Sequence, residues 1–113
     1  MDGALFVHRE FNGSYQLVGV LEENAGLPIF AYDPKYLESA DAAPISASLP
    51  LSVDTFSPDV TGSYFSGIIP EGQLNRDLEK RARAERGDYF KVLDLVRDEP
   101  VGALVLTREP SVE

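Results

Sequence analysis

Residues 4–23, "ALFVHREFNGSYQLVGVLEE", decide the fold class. A short apolar run, Ala4 to His8, leads into Asn12-Gly13, and both of those residues tolerate the positive φ that a two-residue hairpin turn demands. An extended pattern resumes from Tyr15 to Glu22, so the stretch reads as a β-hairpin. Gly19 interrupts the second strand, where a missing side chain marks a bulge or the close approach of another backbone.

Working outward, Asn24-Ala25-Gly26 forms the next turn and "PIFAY" at 28–32 a third strand, which Asp33-Pro34 stops. Residues 35–39 fit one helical turn. In "ISASLPL", Ile45, Ala47, Leu49 and Leu51 alternate with Ser46, Ser48 and Pro50, predicting a fourth strand with one buried face. Pro50 cannot donate to a ladder, which puts this strand at an edge or ends it there. Residues 52–63 read as loop.

The second half turns helical. Leu74, Leu78 and Ala82 recur every fourth residue, predicting a helix from Gln73 to about Glu85 with Asp77–Arg81 and Glu79–Arg83 pairs on its face. Gly87 ends it and Asp88 caps a second helix from Tyr89 to about Val96. Gly102 to Leu106 closes the chain as a strand. The expectation is an α+β fold: a small antiparallel sheet or partial barrel of about five strands, with two to three helices in the C-terminal half. At 113 residues this is the size of one domain, taken as 1–113.

Composition narrows the function. Nineteen acids against ten bases give a net charge of −9, a field that repels phosphate backbones and anionic lipid, so direct nucleic-acid or membrane binding is not expected. There is no cysteine, which removes disulfides, thiolate chemistry and zinc-thiolate sites. No basic leader or long apolar segment stands at the start, so the expected location is the cytoplasm.

Catalytic patterns are missing as well. His8 is the only histidine and reads as a strand residue at a sheet margin. "GSYFSG" has the wrong spacing for a nucleophile elbow, and no phosphate-cradling glycine loop occurs. Asp33, Glu38 and Asp41 lack the alternate spacing of a calcium loop. The basic run Arg76, Lys80, Arg81, Arg83 and Arg86 is interleaved with acids and reads as a salt-bridged, solvated helix face. No cofactor, metal or enzymatic activity is expected.

The densest apolar cluster is "YFSGIIPEGQ", residues 64–73. Tyr64, Phe65, Ile68 and Ile69, at i, i+1, i+4 and i+5, form a knob as one helical turn. Pro70 breaks the turn, and Glu71-Gly72 leads into the long helix. Phe65 and Ile69 are assigned to the domain's own core, with either Tyr64 or Phe65 open to face a partner.

These segments resemble the N-terminal subdomain of HipA-type toxin kinases. "YFSGIIPEG" is similar to that family's Phe-x-x-Leu-Leu-Pro-Glu-Gly motif through Phe65, Ile68, Ile69, Pro70, Glu71 and Gly72. "DYFKVLDLVRDEPVGALVL" looks like its Phe-x-Leu-Leu and Gly-Ala-Leu segments through Phe90, Leu93, Val101, Gly102 and Ala103. "GVLEE", "IFAYDPKYL" and "ISASLPL" follow in the family's order, so the resemblance runs from Leu5 to Leu106. Two departures stand out: isoleucines replace the Leu-Leu pair, and Val96-Arg97-Asp98 replaces a glycine-containing turn.

The resemblance implies a non-catalytic chain, because the family's ATP-binding and catalytic residues lie in a region not present here. It further implies a HipS-like antitoxin of a split HipBST system, with a HipT/HipA-like serine/threonine kinase as partner and a HipB-like helix-turn-helix DNA-binding protein as third component. The implied partner-binding residues are Tyr64, Phe65, Ile68, Ile69, Pro70 and Glu71. A non-catalytic N-terminal subdomain acting within a full-length kinase is the alternative, and a small-molecule-binding domain a distant one.

Overall fold

The computed structural model describes residues 3–110. Strands β1 (Ala4–Phe11) and β2 (Ser14–Asn24) form the expected hairpin, with Asn12 at φ 51° and Gly13 at φ 84° in its turn. A second two-residue turn, Ala25-Gly26, leads to β3 (Leu27–Tyr32). After the helices, the short β4 (Pro100–Val101) and β5 (Leu104–Thr107) complete an antiparallel sheet of order β3-β2-β1-β5-β4. The sheet is open, not a barrel. Among the described residues the α-helices are α1 (Pro34–Glu38), α2 (Pro58–Phe65), α3 (Gln73–Ala82) and α4 (Tyr89–Leu95), so the class is α+β as expected.

Gly19 satisfies both readings of it. Val7 pairs with Gly19 and His8 with Leu17, which leaves Val18 bulged out of register and its carbonyl free to accept from the Asp33 amide at 2.8 Å. A Cβ on Gly19 would stand 2.3 Å from the Ala31 carbonyl oxygen and 2.8 Å from the Phe30 ring. The strand therefore has room for glycine alone, and Phe30 lies down over it.

Two expected elements are corrected. Residues 45–51 are not a strand: Ser46 and Leu49 close a tight turn, with the Leu49 amide donating to the Ser46 carbonyl at 3.0 Å. Leu49 is buried, while Ala47 and Leu51 are exposed. Tyrosine hydroxyls override the alternation. Tyr32 accepts from the Ile45 amide at 3.1 Å and donates to the Leu49 carbonyl, and Tyr36 does the same for Ala43, pinning loop backbone that a neighbouring strand would otherwise satisfy. Tyr32→Phe removes two such bonds at once, and we expect it to cost about 2 kcal/mol. Urea denaturation reads that loss, and faster hydrogen exchange at the Ile45 amide locates it.

The second correction concerns the fifth strand. Gly102 and Ala103 make a turn, with Gly102 at φ 62°, so the predicted strand begins only at Leu104 and Pro100–Val101 runs back against it. Helix α2 occupies part of the segment read as loop. Its signal was Ser57-Pro58: the Ser57 hydroxyl accepts from the Val60 amide at 3.3 Å, and proline takes the first helical position.

Helices cover one face of the sheet, over a core that includes Leu5, Val7, Leu21, Phe30, Phe65, Leu93 and Leu106. Both sheet edges are blunted. β4 is two residues long and starts with proline, and on β3 the Phe30 amide and carbonyl are taken by the Thr61 hydroxyl and the Phe56 amide.

His8 lies inside, not at a margin. It is 1% exposed, with Nε2 2.9 Å from the Thr107 hydroxyl. That hydroxyl donates onward to the Glu109 carbonyl, so the histidine Nε2 is the donor in their pair. Burial pushes the imidazole below its ordinary 6.5, with the Glu109 carbonyl opposing. The unfolded chain therefore takes up the proton first. Stability is full above about pH 6.5 and declines as pH falls from there through the folded-state value. Denaturation midpoints should drop between neutral pH and pH 5, and His8→Gln should flatten that slope.

Candidate functional site

The site is built from α2 forward. Thr61 ties the helix to β3 by accepting from the Phe30 amide at 3.1 Å, which delivers Phe65 onto the Phe30 ring, centroid to centroid 5.5 Å. Phe65 is 0% exposed. Tyr64 packs edge-on against it at 4.9 Å and is half-buried, its hydroxyl pushed upward by desolvation. Tyr64 ends a chain of rings that runs through Phe65, Phe30 and Tyr32 to Tyr36, where Arg9 lies over the last ring at 5.3 Å.

The knob is not one α-helical turn. Helix α2 ends at Phe65, a 3-10 turn spans Ser66–Ile68, and Ile69 is extended at ψ 138°, the conformation a following proline imposes. Gly72 then takes φ 78° and ψ −144°, closed to residues with a side chain, and aims the chain into α3. Of the six residues singled out from sequence, Phe65 and Ile69 belong to the core. Tyr64 and Ile68 are half-buried, and Pro70 and Glu71 are exposed.

Beside this turn lies an apolar groove of about 400 Å³. Ile68, Ile69 and Pro70 form one wall, Leu78 of α3 and Val96 another, and Val101 of the β4–β5 hairpin the third. The hairpin reaches it because Asp98 adopts φ 70° and donates its amide to the Leu106 carbonyl at 2.8 Å, performing the reversal expected of a glycine. Two segments thirty residues apart thus meet across one groove. Sequence reasoning named the first and missed the junction, since Val96 and Val101 have no shared periodicity.

Electrostatics also differ from the sequence expectation. Among the described residues the ion pairs are Asp94 with Arg97 at 3.5 Å and with Arg108 at 2.8 Å. The Arg108 guanidinium binds both carboxylate oxygens and holds Asp94 below its usual range, tying α4 to the end of β5. The expected Asp77–Arg81 and Glu79–Arg83 pairs do not form. Instead Arg83 ends α3 in the left-handed region, φ 54°, and Glu79 turns inward to accept from the Gly87 amide at 2.7 Å.

For chemistry, the arrangement offers shape and apolar area. The His8–Thr107 pair is sealed from any substrate, and among the described residues no three acids, histidines or cysteines gather as metal ligands. No helix of the described chain is long and apolar enough to cross a membrane.

The chain is 28% identical to an uncharacterised Haemophilus influenzae protein over 107 residues, covering 95% of this chain and 92% of that one. It is 30% identical over 80 residues to a Sinorhizobium fredii protein bearing the provisional kinase name Y4mE, covering 71% of this chain but 19% of the other. The profile described as HipA N-terminal domain matches residues 13–107, and the matched span contains the Pro-Glu-Gly turn, both helices beside it and the closing hairpin. The chain belongs to the HipA N-terminal domain family.

Proposed function

We propose that this chain is a non-catalytic antitoxin that binds a HipT/HipA-type serine/threonine kinase in trans and inhibits it. The observation that carries the reading is the open apolar groove lined by both segments that bear the family resemblance, Ile68–Pro70 and Val101. A core that has taken Phe65 and Ile69 for itself leaves Tyr64, Ile68 and Pro70 partly or wholly uncovered beside Glu71. Such a patch suits a partner's apolar surface.

Inhibition is steric in this proposal. The rigid Pro-Glu-Gly turn and the outer edge of Tyr64 press against the kinase near its nucleotide pocket, while Phe65 supports them from behind. A HipB-like DNA-binding protein completes the operon's products. A second reading, a structural subdomain acting in cis, is favoured by the match to only 19% of the kinase-named relative.

The test is co-expression with a kinase encoded beside this reading frame, scored by co-purification and growth rescue. Tyr64→Ala combined with Ile68→Asp should weaken binding about tenfold or more, while far-ultraviolet circular dichroism stays unchanged. Undiminished rescue by that variant would remove the groove from the interface. A single continuous frame through both proteins would replace inhibition in trans with the subdomain reading.

A further inference from the structure

A second uncovered surface lies on other elements: the β2–β3 turn, the start of α2 and the α3–α4 connection. Leu27 in that turn is 56% exposed, and Val60 on the first turn of α2 is 36% exposed. Between these elements Leu27, Pro28, Pro58 and the Tyr89 ring line a cleft of about 420 Å³. The antiparallel bridge between Phe30 and Phe56 holds the two segments side by side, and Pro28 and Pro58 both line the cleft between them.

The walls of this cleft are acidic. Glu23, Asp59, Glu85 and Asp88 line it against Arg86 alone, and none of the four is ion-paired among the described residues. Asp88 accepts from the Lys91 amide at 3.3 Å as the cap of α4, which leaves it charge to spare. The field is felt locally: burial, then Asp88 and Glu23, push the Tyr89 hydroxyl up to about 12.

We infer that this face is a second docking surface, taking a protein segment that carries a lysine or arginine between apolar residues. Four carboxylates without an ion-pair partner among the described residues select a cation, and Leu27, Pro28 and Pro58 accept the methylene stem of its side chain. A free metal ion or small amine would leave Leu27 wet, whereas a peptide backbone flanking the cation covers it. The surface shares no lining residue with the Pro70 groove, so it stands whether or not that groove meets a kinase.

The probe is an amidated peptide alternating leucine and lysine, titrated into the isotope-labelled full chain, with a leucine–glutamate peptide of equal length as control. Amide shifts should saturate at residues 23–27, 59–61 and 85–89 and shrink as salt is raised. Asp59→Lys with Glu85→Lys should weaken binding about tenfold, and Leu27→Ser, at an exposed position that cannot upset the core, should weaken it as well. Equal binding by the glutamate peptide, shifts centred on Ile68 and Val101, or full affinity in the charge-reversed variant would each overturn the assignment.

Discussion

Phe65→Ala should cost about 3–5 kcal/mol, the price of emptying an aromatic site that cannot collapse. The ring is 0% exposed, wedged between Phe30 at 5.5 Å and Tyr64 at 4.9 Å, in a helix whose Thr61 is bonded to the sheet. A domain of this size is stable by about 5–15 kcal/mol in all, so the variant should melt tens of degrees lower or fail to purify. Thermal denaturation checks this, and a loss below about 1 kcal/mol would mean the ring is not a core residue. One consequence is practical: lost kinase binding in Phe65→Ala would report unfolding, whereas Tyr64 and Ile68 report contact.

Gly19→Ala should be nearly as damaging, at about 3 kcal/mol, the upper end of what overpacking costs. The new Cβ would lie 2.3 Å from the Ala31 carbonyl oxygen, and that atom is backbone in a paired strand, so it cannot step aside as a flexible side chain would. Relief requires β3 to move away from β2, carrying Phe30 off the site it shares with Phe65. The predicted signature is a loss of hydrogen-exchange protection along β2 and β3 together with a lowered denaturation midpoint. Wild-type protection in the variant would show that the strands are not closely apposed at this position.

The two substitutions lie on one physical line. An absent side chain at 19 lets Phe30 settle, Phe30 seats Phe65, and Phe65 fixes where α2 stops and the Pro70 turn begins. Gly19 was legible as an anomaly because a glycine inside an apolar extended run needs a reason. The α2 helix was less legible. Its eight residues carry glycine, threonine and serine, weak helix formers whose only strong cue was Ser57-Pro58 at the start. The 45–51 strand failed for the opposite reason: its alternation was clear, but the Tyr32 hydroxyl captured its backbone at Ile45 and Leu49, while Tyr36 held Ala43 just ahead of it.

The candidate site divides the same way. "IIPEG" identifies a reversal from local rules, since proline forbids helix at Ile69 and glycine alone takes the backbone at Gly72. Which of its apolar residues stay uncovered cannot be read from spacing, because Phe65 and Tyr64 are adjacent and equally apolar in pattern. Burial separated them: Phe65 is fully enclosed against Phe30, while Tyr64 packs on the edge of the core and stays half-exposed.

By itself, then, the sequence determined the acidic charge through its composition, and the hairpin, the two-residue turns and the cap at Asp88 through its order, since each of these depends on neighbours within a few positions. The tertiary structure alone decided that Ile68–Pro70 faces Val101 across a groove, that Glu79 turns inward to Gly87, and that Leu27 shares a cleft with Pro58. Those relations depend on how sheet and helices pack, and packing responds to the shape of the whole core, which no local pattern encodes.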